Sequence, residues 1–174
     1  MTHSIRSTDA LLLVDPQKDF FPGGALGVPR ADRLLPLLNR LVERALAAGA
    51  PVYVSRDWHP ADHISFESRG GPWPPHCVAD TEGAQFHPDL HLPEDARIIS
   101  KGTDRERDAH SAFDGTGLGD RLRAEGVDRI WIGGLAQDYC VRASALDAVQ
   151  AGLETHLVAE ATRVFHEGIA HVDP

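Results

Sequence analysis

Ile130-Trp131-Ile132-Gly133-Gly134-Leu135-Ala136-Gln137-Asp138-Tyr139-Cys140-Val141-Arg142-Ala143 is the stretch from which the fold can be read. Three large apolar residues run into two glycines. A short polar segment follows, and Cys140 opens a segment that reads as helix to Gln150, stopped by Gly152. The pattern predicts a buried strand, a tight turn and a helix, the unit from which parallel sheets are built. A thiol at such a turn lies where backbone N–H groups converge, and the positive end of the helix favours thiolate over thiol. Cys140 is therefore the candidate nucleophile.

The same unit recurs in both directions along the chain. Ala10-Leu11-Leu12-Leu13-Val14 is a short, continuous apolar run ending at Asp15-Pro16, as a strand buried on both faces would be. From Ala31 to Ala48, Leu34, Leu37, Leu38, Leu41, Ala45 and Leu46 recur at helical spacing until Gly49. Pro51 to Ser55 reads as a second strand and Ala96 to Ser100 as a third. Leu118 to Glu125 reads as a helix, Arg129 to Ile132 as a fourth strand and Leu153 to Val158 as a fifth. This alternation predicts an α/β fold, a parallel sheet of about five to six strands with helices on both faces. Residues 57–95, rich in Pro, Gly and His, are irregular, and a loop of that length in a compact domain usually carries function.

Ligands of parallel sheets bind at the carboxyl ends of the strands. Asp15, Asp57, Lys101 and the turn from Gly133 to Cys140 all follow predicted strand ends, so they are expected on one rim. A carboxylate beside the thiol can take its proton, and a lysine beside both favours the charged forms. Cysteine, aspartate and lysine together suit nucleophilic acyl transfer. Asp57-Trp58-His59, with His63 and His76 in the same loop, forms a second constellation. One carboxylate with two or three imidazoles suits Zn²⁺, Fe²⁺ or Mn²⁺. The alternative is a polar loop of surface histidines. Phe20, Trp73 and Phe113 are candidates for an apolar slot that takes a flat ring. Cys77, adjacent to His76 on an extended chain, is expected to be an ordinary buried thiol.

Composition narrows the classes. A net charge of -9 without a basic run or zinc-finger spacing argues against nucleic-acid binding. No apolar run approaches the ~18 residues of a membrane span. Met1-Thr2-His3-Ser4-Ile5-Arg6 lacks the apolar core of a signal peptide, so a cytoplasmic location is expected. In that reducing compartment no structural disulfide between Cys77 and Cys140 is expected. A length of 174 residues suits a single domain over 1–174.

The chain resembles the nicotinamidase branch of the isochorismatase-like cysteine hydrolases. The resemblance runs from about Leu11 to Arg163. It is carried by Val14-Asp15-Pro16-Gln17-Lys18-Asp19-Phe20, Pro22-Gly23-Gly24-Ala25-Leu26, Asp57-Trp58-His59-Pro60 with His63, and Trp73-Pro74-Pro75-His76-Cys77-Val78. Gly83-Ala84, His87-Pro88, Lys101-Gly102-Thr103-Asp104, Ser111-Ala112-Phe113 and the turn around Cys140 complete it. The triad marks the superfamily, and the metal loop is the narrower signal.

The resemblance implies an isochorismatase-like hydrolase fold and a metal-dependent amidase that converts nicotinamide to nicotinic acid and ammonia through a thioester, in NAD salvage. Pyrazinamide is an expected analogue. Catalysis would fall to Asp15, Lys101 and Cys140, with Ala136 and Cys140 amides forming an oxyanion hole. One divalent ion (Zn, Fe or Mn) would be held by Asp57, His59 and His76, with His63 nearby or ligating. Phe20 and Trp73 would flank the ring, and the Leu135–Ala136 bond would be cis. Relatives often carry Tyr where this chain has His110, which would reshape the pocket or face solvent. They also continue through a last helix and strand that this chain would lack. Homo-oligomerisation stays open. Two alternatives remain: another small-amide cysteine hydrolase of the superfamily, and a non-catalytic binding relative, which the intact Asp15, Lys101 and Cys140 argue against.

Overall fold

Leu11 and Leu13 point to one side of the first strand while Ala10, Leu12 and Val14 point to the other, and all five are fully buried. A strand with two apolar faces needs a layer on each. The structure, a computed structural model, describes residues 3–166 and supplies both layers. Its strands are β1 (Asp9–Val14), β2 (Val52–Asp57), β3 (Arg97–Lys101), β4 (Arg129–Leu135) and β5 (Glu154–Arg163), and its helices are α1 (Leu35–Ala48), α2 (Leu118–Ala124) and α3 (Arg142–Gln150). The strands form one sheet in the order β3-β2-β1-β4-β5, and every pairing is parallel.

The α1 stripe of Leu35, Leu38, Leu41, Val42 and Ala45 packs with Leu11 and Leu13. Leu118 and Leu122 of α2 and Ala148 of α3 pack with Leu12 and Val14 on the opposite face. Gly49 ends α1 in the left-handed conformation, its N–H reaching the carbonyls of Ala45 and Leu46. The region from 31 to 34 expected as the first turn of that helix is 3₁₀.

β2 to β5 all extend past their expected ends, β4 and β5 the furthest. β4 continues to Leu135 because Gly133 and Gly134 still pair with Leu13 and Val14 of β1. Gly134 has φ +123, and a Cβ there would lie 2.2 Å from the Val14 carbonyl oxygen, so only glycine permits the approach. β5 runs on to Arg163 after a register shift against β4. Among the described residues, no helix is long and apolar enough to cross a membrane. The expected absence of a last helix and strand concerns the chain beyond the described residues.

Candidate active site and metal centre

The carboxyl ends of four adjacent strands bring the chemistry together. Asp57 and Lys101 are paired last residues of β2 and β3. Asp15 directly follows β1 and turns the chain with φ +48. Beyond β4, a single π-turn spans Gln137–Val141 before α3 begins. Cys140 therefore sits inside the π-turn rather than at the first residue of an α-helix. The Leu135–Ala136 peptide is cis, as the resemblance implies.

Lys101 is the hub. Its ammonium is 2.8 Å from Asp15 Oδ2 and 2.6 Å from Asp57 Oδ1, and it donates toward Cys140 Sγ at 3.4 Å. Burial alone would depress its pKa, but Asp15 and Asp57 together hold it well above the ordinary lysine value. Asp15 is sealed from solvent; Ser55 donates to its Oδ1 at 2.7 Å. Its Oδ2 has the ammonium beside it but, among the described residues, no donor aligned as a hydrogen bond. That leaves a lone pair for another proton. Burial raises the Asp15 carboxyl and Asp57 adds to the rise, against the pull of Lys101.

The thiol departs from the sequence expectation. Burial pushes Cys140 well above the ordinary thiol value; Lys101 pulls it down, and the two carboxylates push it further up. These surroundings oppose the thiolate that the helix end and Lys101 favour, so a base beside Cys140 would assist its ionisation. Oxygens of Asp15 and Asp57 lie within 4.8 Å of its sulfur.

The second constellation adjoins the first through Asp57. With Oδ1 on Lys101, its Oδ2 faces His59 Nε2 at 3.5 Å and His76 Nε2 at 3.9 Å. The other nitrogen of each ring is committed to a carbonyl, His59 Nδ1 donating to Gly102 at 2.7 Å and His76 Nδ1 to Pro74 at 2.9 Å. Carbonyls only accept, which leaves the Nε2 lone pairs free in the neutral rings, and the ligand atoms of Asp57, His59 and His76 lie within 4.8 Å of one another, an arrangement that prepares imidazoles for a metal. Gly102, with φ +61, is needed for this, since a Cβ would strike His59 Cε1 at 2.5 Å. The donor set fits a divalent cation. Burial would depress His59, but Asp57 outweighs it and raises the ring, so a proton competes with the cation there. Burial lowers His76.

His63 does not join the set. Its ring stacks on His59 with centroids 4.1 Å apart. However, Nε2 donates to the Arg107 carbonyl at 3.1 Å, and Nδ1 accepts from the Ser65 hydroxyl at 2.7 Å. Both nitrogens of His63 thus have protein partners in this arrangement, with the ring held against His59. Cys77 is a free, buried thiol, pushed up by burial.

A pocket of about 470 Å³, counting its open mouth, lies over both constellations. Phe20 and Trp73 line it as expected, together with Leu26, Ala136, Tyr139 and Phe165. Trp73 meets Tyr139 and Phe165 edge-on at 5.3 and 5.7 Å. Phe113 instead packs against the opposite-face core. His110 lines the pocket rather than facing away from it.

Four contributors escape a reading of residue types. The Gln17 side chain clamps the Asp57 backbone, donating to its carbonyl and accepting from its N–H, both at 2.8 Å. Asp19 accepts the Cys77 N–H at 2.8 Å and so fixes the residue after His76. Both lie in the motif after β1, which is the signal that could have found them. Tyr139 and Phe165 carried no signal beyond being aromatic.

The isochorismatase domain model matches residues 9–171. The nicotinamidase of Escherichia coli is 41% identical over 175 residues, covering 88% of this chain and 82% of that protein. The solved pyrazinamidase of Pyrococcus horikoshii in complex with zinc superposes with TM-score 0.90 at 49% identity, over 92% of this chain and 88% of its own. The PnC1 structure from L. infantum in complex with nicotinate superposes with TM-score 0.88 at 36% identity, over 96% and 87%.

Proposed function

The chain belongs to the isochorismatase domain family, and from that premise we propose that it is an amidohydrolase converting nicotinamide to nicotinic acid and ammonia, with pyrazinamide as an analogue substrate. The observation that carries the reading is the junction at Asp57, where a buried lysine–carboxylate–thiol cluster meets a carboxylate–bis-imidazole set under one aromatic-walled pocket. Relatives bearing the nicotinamidase name support it at 41% and 38% identity. The product belongs to NAD salvage.

Cys140 attacks the carboxamide carbon as Asp15 takes the thiol proton. Burial makes the thiol reluctant to ionise, and burial also makes Asp15 a better proton acceptor than an exposed aspartate. Lys101 balances the charge that remains. The Ala136 and Cys140 amides take the role of donors to the oxygen of the tetrahedral intermediate. Asp15 returns the proton to the departing ammonia, leaving a thioester on Cys140 that water hydrolyses. Phe20 and Trp73 hold the ring. Asp57, His59 and His76 would hold one divalent ion, which supplies a Lewis acid for the pyridine nitrogen. Zinc, iron and manganese all suit the donors, and the zinc complex of the Pyrococcus neighbour favours the first.

The test is ammonia release from nicotinamide by metal-loaded protein, with Cys140→Ala alongside. Release by the wild type and none by the variant is expected. A folded, metal-loaded wild type that spares nicotinamide but cleaves another small amide would replace this reading with the broader cysteine-hydrolase one.

A further inference from the structure

Of the three imidazoles that line the pocket, His59 and His76 belong to the metal set and His110 has no part in that set or in forming the thioester. His110 Nδ1 lies 3.8 Å from Cys140 Sγ. Its Nε2 lies 3.5 Å from Asp108 Oδ2. A carboxylate on that side biases the ring proton toward Nε2 and leaves the Nδ1 lone pair facing the sulfur. The tilted Tyr139 ring, 5.9 Å away, stands beside the imidazole.

Three basic groups lie near the thiol, Asp15, Asp57 and His110; Asp57 is buried and bound to Lys101, and the other two differ in their access to water. The Asp15 side chain is 0% exposed, whereas that of His110 is 43% exposed at the pocket mouth. The first half-reaction moves a proton between sulfur and nitrogen and needs no water. The second must deprotonate a water arriving from the mouth, beside an acyl carbon bonded to that same sulfur. We propose that His110, oriented by Asp108, is the general base for hydrolysis of the thioester, an inference that rests on the amidase reading above.

The step balances. The water oxygen bonds to the acyl carbon as one of its protons passes to His110 Nδ1. The carbon–sulfur bond then breaks with its electron pair left on sulfur, beside Lys101. The carboxylic acid product loses its own proton to solvent. His110 returns its proton to the Cys140 thiolate, restoring thiol and neutral imidazole. Asp108 touches no reacting atom and acts as a positioning residue.

The experiment follows nicotinamide turnover by metal-loaded full-length protein as wild type, His110→Gln, His110→Phe and Asp108→Asn. It reads first-turnover ammonia by rapid quench and the acyl adduct by intact mass. Expected is a burst of one ammonia per site in both His110 variants, steady turnover lowered about 100-fold, and a nicotinoyl adduct that accumulates. Asp108→Asn should show the same pattern more weakly. Wild-type steady turnover in His110→Phe would show that a ring suffices and would overturn the proposal. So would slowed first turnover without adduct. No ammonia from the wild type would overturn the amidase reading and this role with it, whereas wild-type ammonia without adduct in either His110 variant would overturn this role alone.

Discussion

Lys101 holds two buried carboxylates in place, and its removal would leave Asp15 and Asp57 facing each other without a cation. Breaking a buried pair from one side costs about 3–5 kcal/mol. Lys101→Met should therefore lower the urea midpoint clearly as well as abolish ammonia release; an unchanged midpoint would contradict the ion-pair geometry. The metal set gives a second contrast. His76→Ala should lose the bound ion after desalting, measured as metal per chain. His63→Asn should keep it, because the His63 nitrogens are spent on Ser65 and Arg107. Equal loss from both would make His63 a ligand. Asp15, Asp57 and Lys101 were legible because each ends an apolar run, so chain grammar alone puts them on the rim. Where His63 and His76 aim their nitrogens was not legible, since that is decided by carbonyls and a hydroxyl that composition does not reveal. Gln17 was hidden for a related reason: the backbone it clamps is 40 residues away.

At the level of elements, β1 and β4 are tied at their amino ends as firmly as they are functional at their carboxyl ends. Arg129 donates to Asp9 from Nη2 at 2.7 Å, and Trp131 Nε1 donates to the same carboxylate at 2.9 Å. Burial alone would raise Asp9, but Arg129, Trp131 and the Arg6 amide outweigh it and hold the carboxyl below its ordinary value. A depressed folded pKa means the unfolded chain binds the proton first as pH falls. The contribution of Asp9 is thus complete above the unfolded value of about 4 and is lost as pH drops through the folded one. Urea midpoints from pH 6 to 3 should fall on the acid side, and Asp9→Asn should start lower and fall less steeply. Parallel curves would remove Asp9 from the acid response. Element types were readable from period and punctuation, but lengths were not. Glycines that look like the end of β4 remain in the ladder because β1 allows the close approach. The π-turn around Cys140 resembles an ordinary helix start in sequence.

For the whole molecule, the alternation of runs was enough to predict a parallel sheet with two helical layers. The order β3-β2-β1-β4-β5 was not legible, because it depends on which edge of β1 the chain returns to after β3. That return creates the switch between β1 and β4, beside which Asp15 and Cys140 meet. The central position of β1 also sets a timetable. Its pairing with β2 joins segments close in sequence, whereas its pairing with β4 brings Asp9 beside Arg129, 120 residues later. A chain made from its amino end can close one side of β1 early, yet must leave the other side of a strand that is apolar after Asp9 without its partner until β4 has been synthesised. The strand that leads into Asp15 is thus the first to be made and among the last to be fully enclosed, and the rim where sulfur meets carboxylate exists only once that late pairing has formed.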